Sequence, residues 1–273
     1  MTENSATKAE LPDISLIMPC YNEQDCVANT VRRLFTAFSG AGFRLEIVAV
    51  DNGSGDDTGK ILRELAVTYP DLRIHRVAVN QGYGNGILSG IPHGTAEWIG
   101  FIPADGQVDA TDVVELYETL VTARGRVLGK VRRRFRMDGL QRKLISISYN
   151  LLVKMLWPRL QSLDVNGTPK ILRRVELNAM DLQSRGWFLD PEMMIKAHYM
   201  GLRVLELNAF ARMRGNGISH VRTSTCWEFL RNLMVFRFSS QMRRWRQQNR
   251  RSLAAAPEAQ LQLAASESGA DRW

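Results

Sequence analysis

Short apolar runs alternate with segments of helical spacing along the first hundred residues of the chain. The runs are rich in isoleucine and valine and cover Ile14–Met18, Leu45–Val50, Leu72–Val77 and Trp98–Ile102. The segment after the first run repeats apolar residues at the spacing of one helix face: Val27, Val31, Leu34, Phe35 and Phe38. This alternation predicts an α/β fold with a mostly parallel, Rossmann-like sheet flanked by helices and joined by right-handed crossovers.

A short polar cluster follows three of these runs. The clusters are Pro19–Glu23, Asp51–Ser54 and Ala104–Gln107. In an open α/β sheet, ligands bind in the crevice beyond the carboxyl ends of the strands. We therefore expect the three clusters to form one active site.

Two segments of the second half combine apolar and basic residues. The first has an apolar stripe of Leu140, Leu144, Ile147, Leu151 and Met155. Its geometry favours an ordinary surface helix packed on the sheet, whereas its basic neighbours favour an interface. The second segment, Trp227–Trp245, is apolar nearly all round at first and then rich in arginine. It is suited to dock on the protein body, on a partner or in a membrane interface.

The pattern divides the chain into four parts. We predict a flexible tail at 1–13, one α/β domain at 14–221, a helical extension at 222–251 that is a candidate membrane-interface segment, and a disordered tail at 252–273. The last part is rich in Ala, Gln, Ser and Glu, a composition that does not support a packed core.

The net charge of +8 is concentrated in two places. Arg124–Lys143 carries a local net charge of +8 and Trp227–Arg251 one of +6, which leaves −6 for the rest of the chain. Two basic segments on an acidic body predict an anionic surface or a phosphate-bearing partner. The alternative is two solvated helix faces. The first segment has a single aromatic residue, Phe135, rather than a repeated aromatic pattern, so we expect no nucleic-acid partner.

Several classes of protein are excluded by composition and spacing. The three cysteines form neither an even-numbered framework nor a metal-ligand pattern, and residues 1–10 lack the apolar core of a signal peptide. No apolar run reaches the roughly 18 residues of a membrane span. Gly82–Gly86 has the wrong spacing for a dinucleotide fingerprint, and Gly53–Lys60 lacks features that a P-loop requires. We expect a cytoplasmic protein.

Asp105 is the best candidate for a metal ligand. It follows the apolar run Trp98–Ile102 at a predicted strand end. A hard cation such as Mg²⁺ or Mn²⁺ takes oxygen ligands and bridges phosphates to one or two protein carboxylates. A lone aspartate at this position is more often a cap or a turn residue, and only its polar neighbours favour the metal.

In this order, the polar clusters resemble the signature of family 2 glycosyltransferases of the GT-A fold. The first half contributes Pro19–Glu23, Val50–Ser54 with Asp57 and Thr58, Asn80–Gly82 with Gly84, and Ala104–Gln107. The second half is similar to the branch of dolichyl-phosphate mannose synthase and polyprenyl-phosphate glycosyltransferases, through Leu128–Gly129, Arg142–Ser146, Tyr149–Leu152, Asp164–Lys170 and Arg214–Ser219. The resemblance covers 14–221 and implies a donor half at 14–107 and an acceptor half at 108–221.

The resemblance implies a role for individual residues. Pro19, Tyr21 and Glu23 would line the pocket of a UDP- or GDP-linked sugar, and Asp51 would bind the base or ribose. Asp105, with Gln107, would hold Mg²⁺ or Mn²⁺ on the diphosphate. The implied acceptor-binding residues are Lys130, Arg132, Arg142, Ser146 and Ser219. Asp105, Arg142 and Arg214 would be catalytic, and Glu192 lies near a general base of other branches.

The implied activity is that of an inverting, metal-assisted hexosyltransferase that uses polyprenyl phosphate as acceptor. The enzyme would act in the cytoplasm, in peripheral contact with the inner face of the membrane. Pro103 stands where many relatives have the first Asp of Asp-Xaa-Asp, and Asn52 replaces a frequent second Asp. Two alternatives therefore stay open: a family 2 enzyme with another lipid or a soluble glycan as acceptor, and a catalytically weakened scaffold that binds nucleotide sugars.

Overall fold

Seven strands form one sheet in the computed structural model, which describes residues 11–133, 151–158, 160, 164–209 and 223–249. The strand order is β3-β2-β1-β4-β6-β5-β7. The described pairings are parallel except those of β6, which runs antiparallel to β4 and β5. The strands are β1 Ile14–Cys20, β2 Leu45–Asn52, β3 Leu72–Val77, β4 Trp98–Phe101, β5 Val127–Arg133, β6 Lys170–Arg173 and β7 Arg203–Ala209. The predicted α/β fold with a mostly parallel sheet is confirmed.

Helices cover both faces of the sheet. They are α1 Val27–Gly40, α2 Thr58–Thr68, α3 Tyr83–Gly90, α4 Ala110–Thr122, α5 at 151–156, α6 Arg174–Met180, α7 Leu189–Tyr199, α8 Thr223–Phe238 and α9 Ser240–Gln248. The buried side chains of α1, α2 and α4 form one core cluster with Leu16 and Met18 of β1. Those of α3, α6 and α7 form a second cluster with Ile17. Because the side chains of successive strand residues point to opposite faces of the sheet, the single strand β1 contributes to both core clusters.

The two C-terminal helices α8 and α9 pack on the second core. Leu233, Phe236, Met242 and Trp245 are buried there. The Phe236 ring meets that of Phe188 edge-on at a centroid distance of 5.2 Å, and the Trp245 indole N–H donates to the Ala179 carbonyl at 3.2 Å. One side of this C-terminal segment thus docks on the protein body. This was the first of the three alternatives given for Trp227–Trp245. Among the described residues, no helix has the length and apolar character needed to cross a bilayer.

Helix α5 presents its predicted apolar stripe to solvent. Leu151 is 66% exposed and Met155 is 69% exposed, whereas Val153 and Trp157 are buried. The expectation that this stripe packs on the sheet is wrong for these two residues, because Val153 and Trp157 make the contact with the core instead. The stripe positions 140, 144 and 147 lie outside the described residues.

A histidine pair at the β3 edge makes stability depend on pH. The rings of His75 and His93 lie 4.4 Å apart between centroids. Burial, followed by the nearby His93, lowers the pKa of His75. The unfolded chain therefore takes this proton more readily. The stabilising contribution is present above the unfolded pKa of about 6.5 and is lost as pH falls through the lower folded pKa.

We expect wild type to lose more unfolding free energy than His75→Gln between about pH 7.5 and about pH 5, because Gln cannot take the proton. Urea unfolding at both pH values measures the difference. An equal loss in the two proteins would contradict this assignment.

Candidate functional site

Two polar loops meet beyond the carboxyl ends of β1 and β2. The Asn22 N–H donates to Ser54 Oγ at 3.2 Å, and the Gly55 N–H donates to Asn22 Oδ1 at 2.9 Å. The Glu23 N–H donates to Thr58 Oγ1 at 2.8 Å, at the start of α2. Asn22 has a φ of 54°, a left-handed conformation that asparagine tolerates better than most residues. The first and second clusters are thereby brought together.

Asp51 is held in a fixed orientation at the end of β2. Its side chain is nearly buried, and its Oδ1 accepts a hydrogen bond from the Ser54 N–H at 3.0 Å. Its Oδ2 lies 3.8 Å from Arg76 Nε. A Cβ at Gly59 would come within 2.6 Å of this Oδ2, so only glycine leaves the carboxylate room. Arg76, on β3, was not foreseen from the sequence.

The other residues predicted to bind the donor lie at the end of β1 and on the loop that follows it. Pro19 is the penultimate residue of β1 and is half-buried, Tyr21 is 37% exposed, and Glu23 is half-buried. They border the same joined loops as Asp51. Their individual roles stay predictions.

The loop that carries Asp105 is anchored from both sides. Thr30 of α1 donates its hydroxyl to the Ala104 carbonyl at 2.9 Å. Asp105 is 7% exposed, and its Oδ1 accepts a hydrogen bond from the Gln107 N–H at 3.1 Å. Gly106 between them has a φ of 67°, a conformation that favours glycine. The loop then enters α4 through the N-cap Asp109.

The ligand atoms of this loop suit a hard divalent cation. Asp105 offers a carboxylate and Gln107 a side-chain carbonyl oxygen, the ligand type that Mg²⁺ and Mn²⁺ prefer. Within the described ranges, no group of three or more His, Cys, Asp or Glu side chains is placed to hold a metal. An ion here would need additional ligands from water and from a bound diphosphate, as Mg²⁺ often has in nucleotide sites.

The hydrogen bonds of Asn52 explain why an amide stands at a position where an aspartate is frequent in the family that the sequence resembles. Its Nδ2 donates to Asn80 Oδ1 at 3.3 Å and to the Gly82 carbonyl at 3.1 Å. An aspartate would place a carboxylate against two acceptor oxygens in a nearly fully buried position. The amide therefore joins the β2 end to the loop before α3.

The first turn of α3 also packs tightly against residues 184–187. The Asn85 N–H donates to the Arg185 carbonyl at 2.7 Å. A Cβ at Gly84 would lie 2.3 Å from the Ser184 carbonyl oxygen, so the glycine-rich sequence permits the close backbone approach that it predicts. Tyr83 stacks on Trp187 at 4.9 Å, and Trp187 stays 40% exposed. Trp187 was not singled out in the sequence, where it is one aromatic residue among many.

Two lysines of the acceptor half are buried in ion pairs. One of them, Lys130, was predicted to bind the acceptor. Lys130 of β5 has no exposed surface and lies 3.3 Å from a Glu206 oxygen, and Lys170 lies 2.5 Å from Asp190. Burial, followed by the neighbouring Lys170, lowers the pKa of Lys130. An acceptor-phosphate role for Lys130 stays a prediction.

The remaining predicted residues are less completely described. Arg132, farther along β5, is half-buried. The catalytic and acceptor-binding positions Arg142, Ser146, Arg214 and Ser219 lie outside the described residues. The structure therefore joins the two donor clusters and places the Asp105 loop after β4, the strand next to β1 in the sheet. The roles of all these residues stay predictions.

A mostly parallel sheet with polar strand-end loops at one edge is typical of the α/β proteins that bind ligands beyond the carboxyl ends of their strands. More specifically, the sequence model "Glycosyl transferase family 2" matches residues 15–180. The chain belongs to this family of glycosyltransferases, and the assignment made from the polar clusters is confirmed.

The chain is similar to curated undecaprenyl-phosphate 4-deoxy-4-formamido-L-arabinose transferases. It is 33% identical to that of Klebsiella pneumoniae over 143 residues, which cover 52% of this chain and 43% of the relative. It is 35% identical to that of Edwardsiella ictaluri over 107 residues, which cover 38% and 33%. The chain thus spans less than half the length of these relatives.

The fold is similar to that of glucosyl-3-phosphoglycerate synthase from Mycobacterium tuberculosis. The crystal structure with Mn²⁺, UDP and glucosyl-3-phosphoglycerate has a TM-score of 0.64 at 19% identity, covering 83% of this chain and 80% of that one. The structure with Mg²⁺ and UDP has a TM-score of 0.64 at 20% identity, covering 83% and 79%. At this identity the likeness shows the GT-A fold.

Proposed function

We propose that the protein is an inverting glycosyltransferase that moves a sugar from a nucleoside-diphosphate sugar to a polyprenyl phosphate. The observation that carries this proposal is the position of Asp51 at the end of β2 and of Asp105 on the loop after β4, at the same edge of the sheet. The similarity to undecaprenyl-phosphate transferases supports the acceptor. The UDP in the structural neighbours supports a UDP-linked donor over a GDP-linked one.

On the donor side, the carboxylate of Asp51 accepts hydrogen bonds from the ribose or the base. Pro19, Tyr21 and Glu23 line the nucleotide pocket beside it. Asp105 and Gln107 would hold Mg²⁺ or Mn²⁺, and the bound cation would supply positive charge beside the leaving diphosphate. Arg214 adds a second positive charge, since stabilising developing charge is usually the largest catalytic effect.

On the acceptor side, a lipid phosphate is already an anionic nucleophile. Arg142, Ser146 and Ser219, assisted by Lys130 and Arg132, position it for in-line attack at the anomeric carbon. No general base is then required. The contacts of Glu192 support a structural role, because its carboxylate accepts hydrogen bonds from the Ser184 N–H at 2.8 Å and from Lys196 Nζ at 2.7 Å.

The transferred sugar is a hexose or a pentose in this proposal. A hexose was expected from the resemblance, whereas the curated relatives are named for an L-arabinose derivative. Peripheral contact with the membrane is part of the proposal, because the acceptor is a lipid. The departure at Pro103 favours a weakened, nucleotide-sugar-binding scaffold as the second candidate.

A donor and acceptor screen tests this function. With Mn²⁺ present, we expect short-chain polyprenyl phosphate to accelerate UDP-sugar turnover and to become glycosylated, measured as transfer of labelled sugar into the organic phase. The matching polyprenol should not react, because it lacks the anionic nucleophile. Transfer to a soluble glycan alone would contradict the proposed acceptor, and UDP binding without turnover would favour the scaffold.

A further inference from the structure

A cleft of about 320 Å³ lies where α8 and α9 meet the ends of α5 and α7. Its inner wall is apolar and aromatic, and its rim is basic. The wall includes Trp157, Tyr199 and Met242, and the rim is formed by Arg237, Arg243 and Arg246. Trp157 and Met242 are buried, whereas the three arginines are exposed. We call this feature the arginine cleft.

The three rim arginines are not engaged with carboxylates of the described chain. The Arg246 guanidinium carbon lies 4.5 Å from the Tyr199 ring centroid, and that of Arg237 lies 5.8 Å from the Phe238 ring centroid. Stacking on a ring orients a guanidinium and leaves its N–H edge available for a phosphate. In contrast, Arg126 and Arg33 are paired with Glu and Asp.

The surface beside the cleft is both basic and apolar. Residues 231–249 contain five arginines and no carboxylate. The segments that line the cleft also carry large exposed apolar side chains: Leu151, Met155, Met234, Val235 and Phe238. Exposed apolar groups next to charges of one sign are typical of a surface that lies in a membrane interface. A free phosphate ion would use the arginines and leave the apolar groups in water.

We propose that the arginine cleft binds the phosphate of an anionic phospholipid headgroup, while the exposed apolar side chains enter the adjoining lipid. This proposal rests on the proposed function and specifies which residues make its membrane contact. The arginine cleft is separate from the donor site, because none of its lining residues belongs to the strand-end clusters. It thus fixes the enzyme on the bilayer through the helical layer that covers the second core.

Vesicle sedimentation with the full chain tests the site. The cleft variant is Arg243→Gln/Arg246→Gln, and the control is Arg231→Gln/Arg244→Gln, which removes the same charge from α8 and α9 outside the cleft lining. On phosphatidylglycerol-containing vesicles, we expect each arginine in the cleft to contribute about fivefold in affinity, or about 25-fold for the pair. The control should lose less than about fivefold. Equal weakening of both variants, or unchanged binding by the cleft variant, would overturn the proposal.

Two further measurements separate the sources of phosphate and the two proposals. Arg243→Lys/Arg246→Lys keeps the charge and should bind between wild type and the Gln variant, because Lys lacks the bidentate geometry. Binding of inorganic phosphate without binding of vesicles would overturn the lipid assignment. UDP-sugar hydrolysis without added lipid should be equal in all variants, so a failure of vesicle binding is distinguishable from a failure of the glycosyltransferase function.

Discussion

The Asp105→Asn variant is expected to lose metal-dependent turnover by at least about 100-fold while it keeps its fold. Asparagine has nearly the same shape, and its carbonyl oxygen can still accept the hydrogen bond that Asp105 takes from the Gln107 N–H at 3.1 Å. It cannot supply the anionic ligand that an ion on a diphosphate requires. Initial rates of UDP-sugar consumption over a range of Mn²⁺ concentrations, with a chelator as blank, measure the loss.

The matched control is Asp109→Asn, four residues farther along the same loop. Asp109 caps α4 by accepting from the Thr111 N–H at 3.3 Å and pairs with Arg33 at 2.9 Å. Its loss should cost about 1 kcal/mol of stability and leave the response to Mn²⁺ unchanged. Full activity of Asp105→Asn would remove the metal assignment. An equal loss of activity in both variants would indicate a general disturbance of the loop.

The donor half of the fold was predictable because three of its four strands, β1, β2 and β4, are buried on both faces. Such strands appear in the sequence as continuous apolar runs. The predicted run Leu72–Val77 also matches β3, although only Leu72 of this edge strand is buried. The predicted Leu45–Val50 lies within β2, which continues through Asp51 and Asn52. The polar ends of the strands were therefore assigned to loops, although their position at the edge was correct.

The strands of the acceptor half were not predicted, because they contain buried charges. Lys130 lies in β5 and Lys170 in β6, both without exposed surface. Their partners Glu206 and Asp190 lie far away in the sequence. A local pattern cannot show that a lysine is neutralised by tertiary contacts, so β5 was interpreted as part of a basic segment. Some of the positive charge counted in that basic segment is therefore paired within the protein.

The position of a site residue was predictable from the sequence only where the order of the strands determines it. The three clusters follow β1, β2 and β4, which are neighbours in the sheet, so their proximity follows from a parallel arrangement. Arg76 and Trp187 reach the same edge from β3 and from the loop before α7. Their side chains reach the site because segments that are distant in the sequence pack together. The glycine-rich loop is the sequence feature that indicates this packing.

The Glu192→Gln variant is expected to lower the free energy of unfolding by about 3 kcal/mol, because it leaves a buried ammonium without its counter-charge. Glu192 and Lys196 are both almost completely buried, one helical turn apart on α7, with 2.7 Å between Oε1 and Nζ. The same carboxylate accepts hydrogen bonds from the backbone N–H groups of Gln183 and Ser184, at 3.1 Å and 2.8 Å. Urea unfolding measures the change.

The double variant Glu192→Gln/Lys196→Met separates a structural role from a catalytic one. Removing the ammonium as well removes the uncompensated charge, so we expect the double variant to recover at least about half of the lost stability. If Glu192 only orders the loop at 183–184, sugar transfer should recover with stability. A general base would behave differently: Glu192→Gln would abolish kcat, and the second substitution would restore stability without restoring kcat. That result would contradict the anionic-nucleophile mechanism, since a fully ionised lipid phosphate has no proton for such a base to remove.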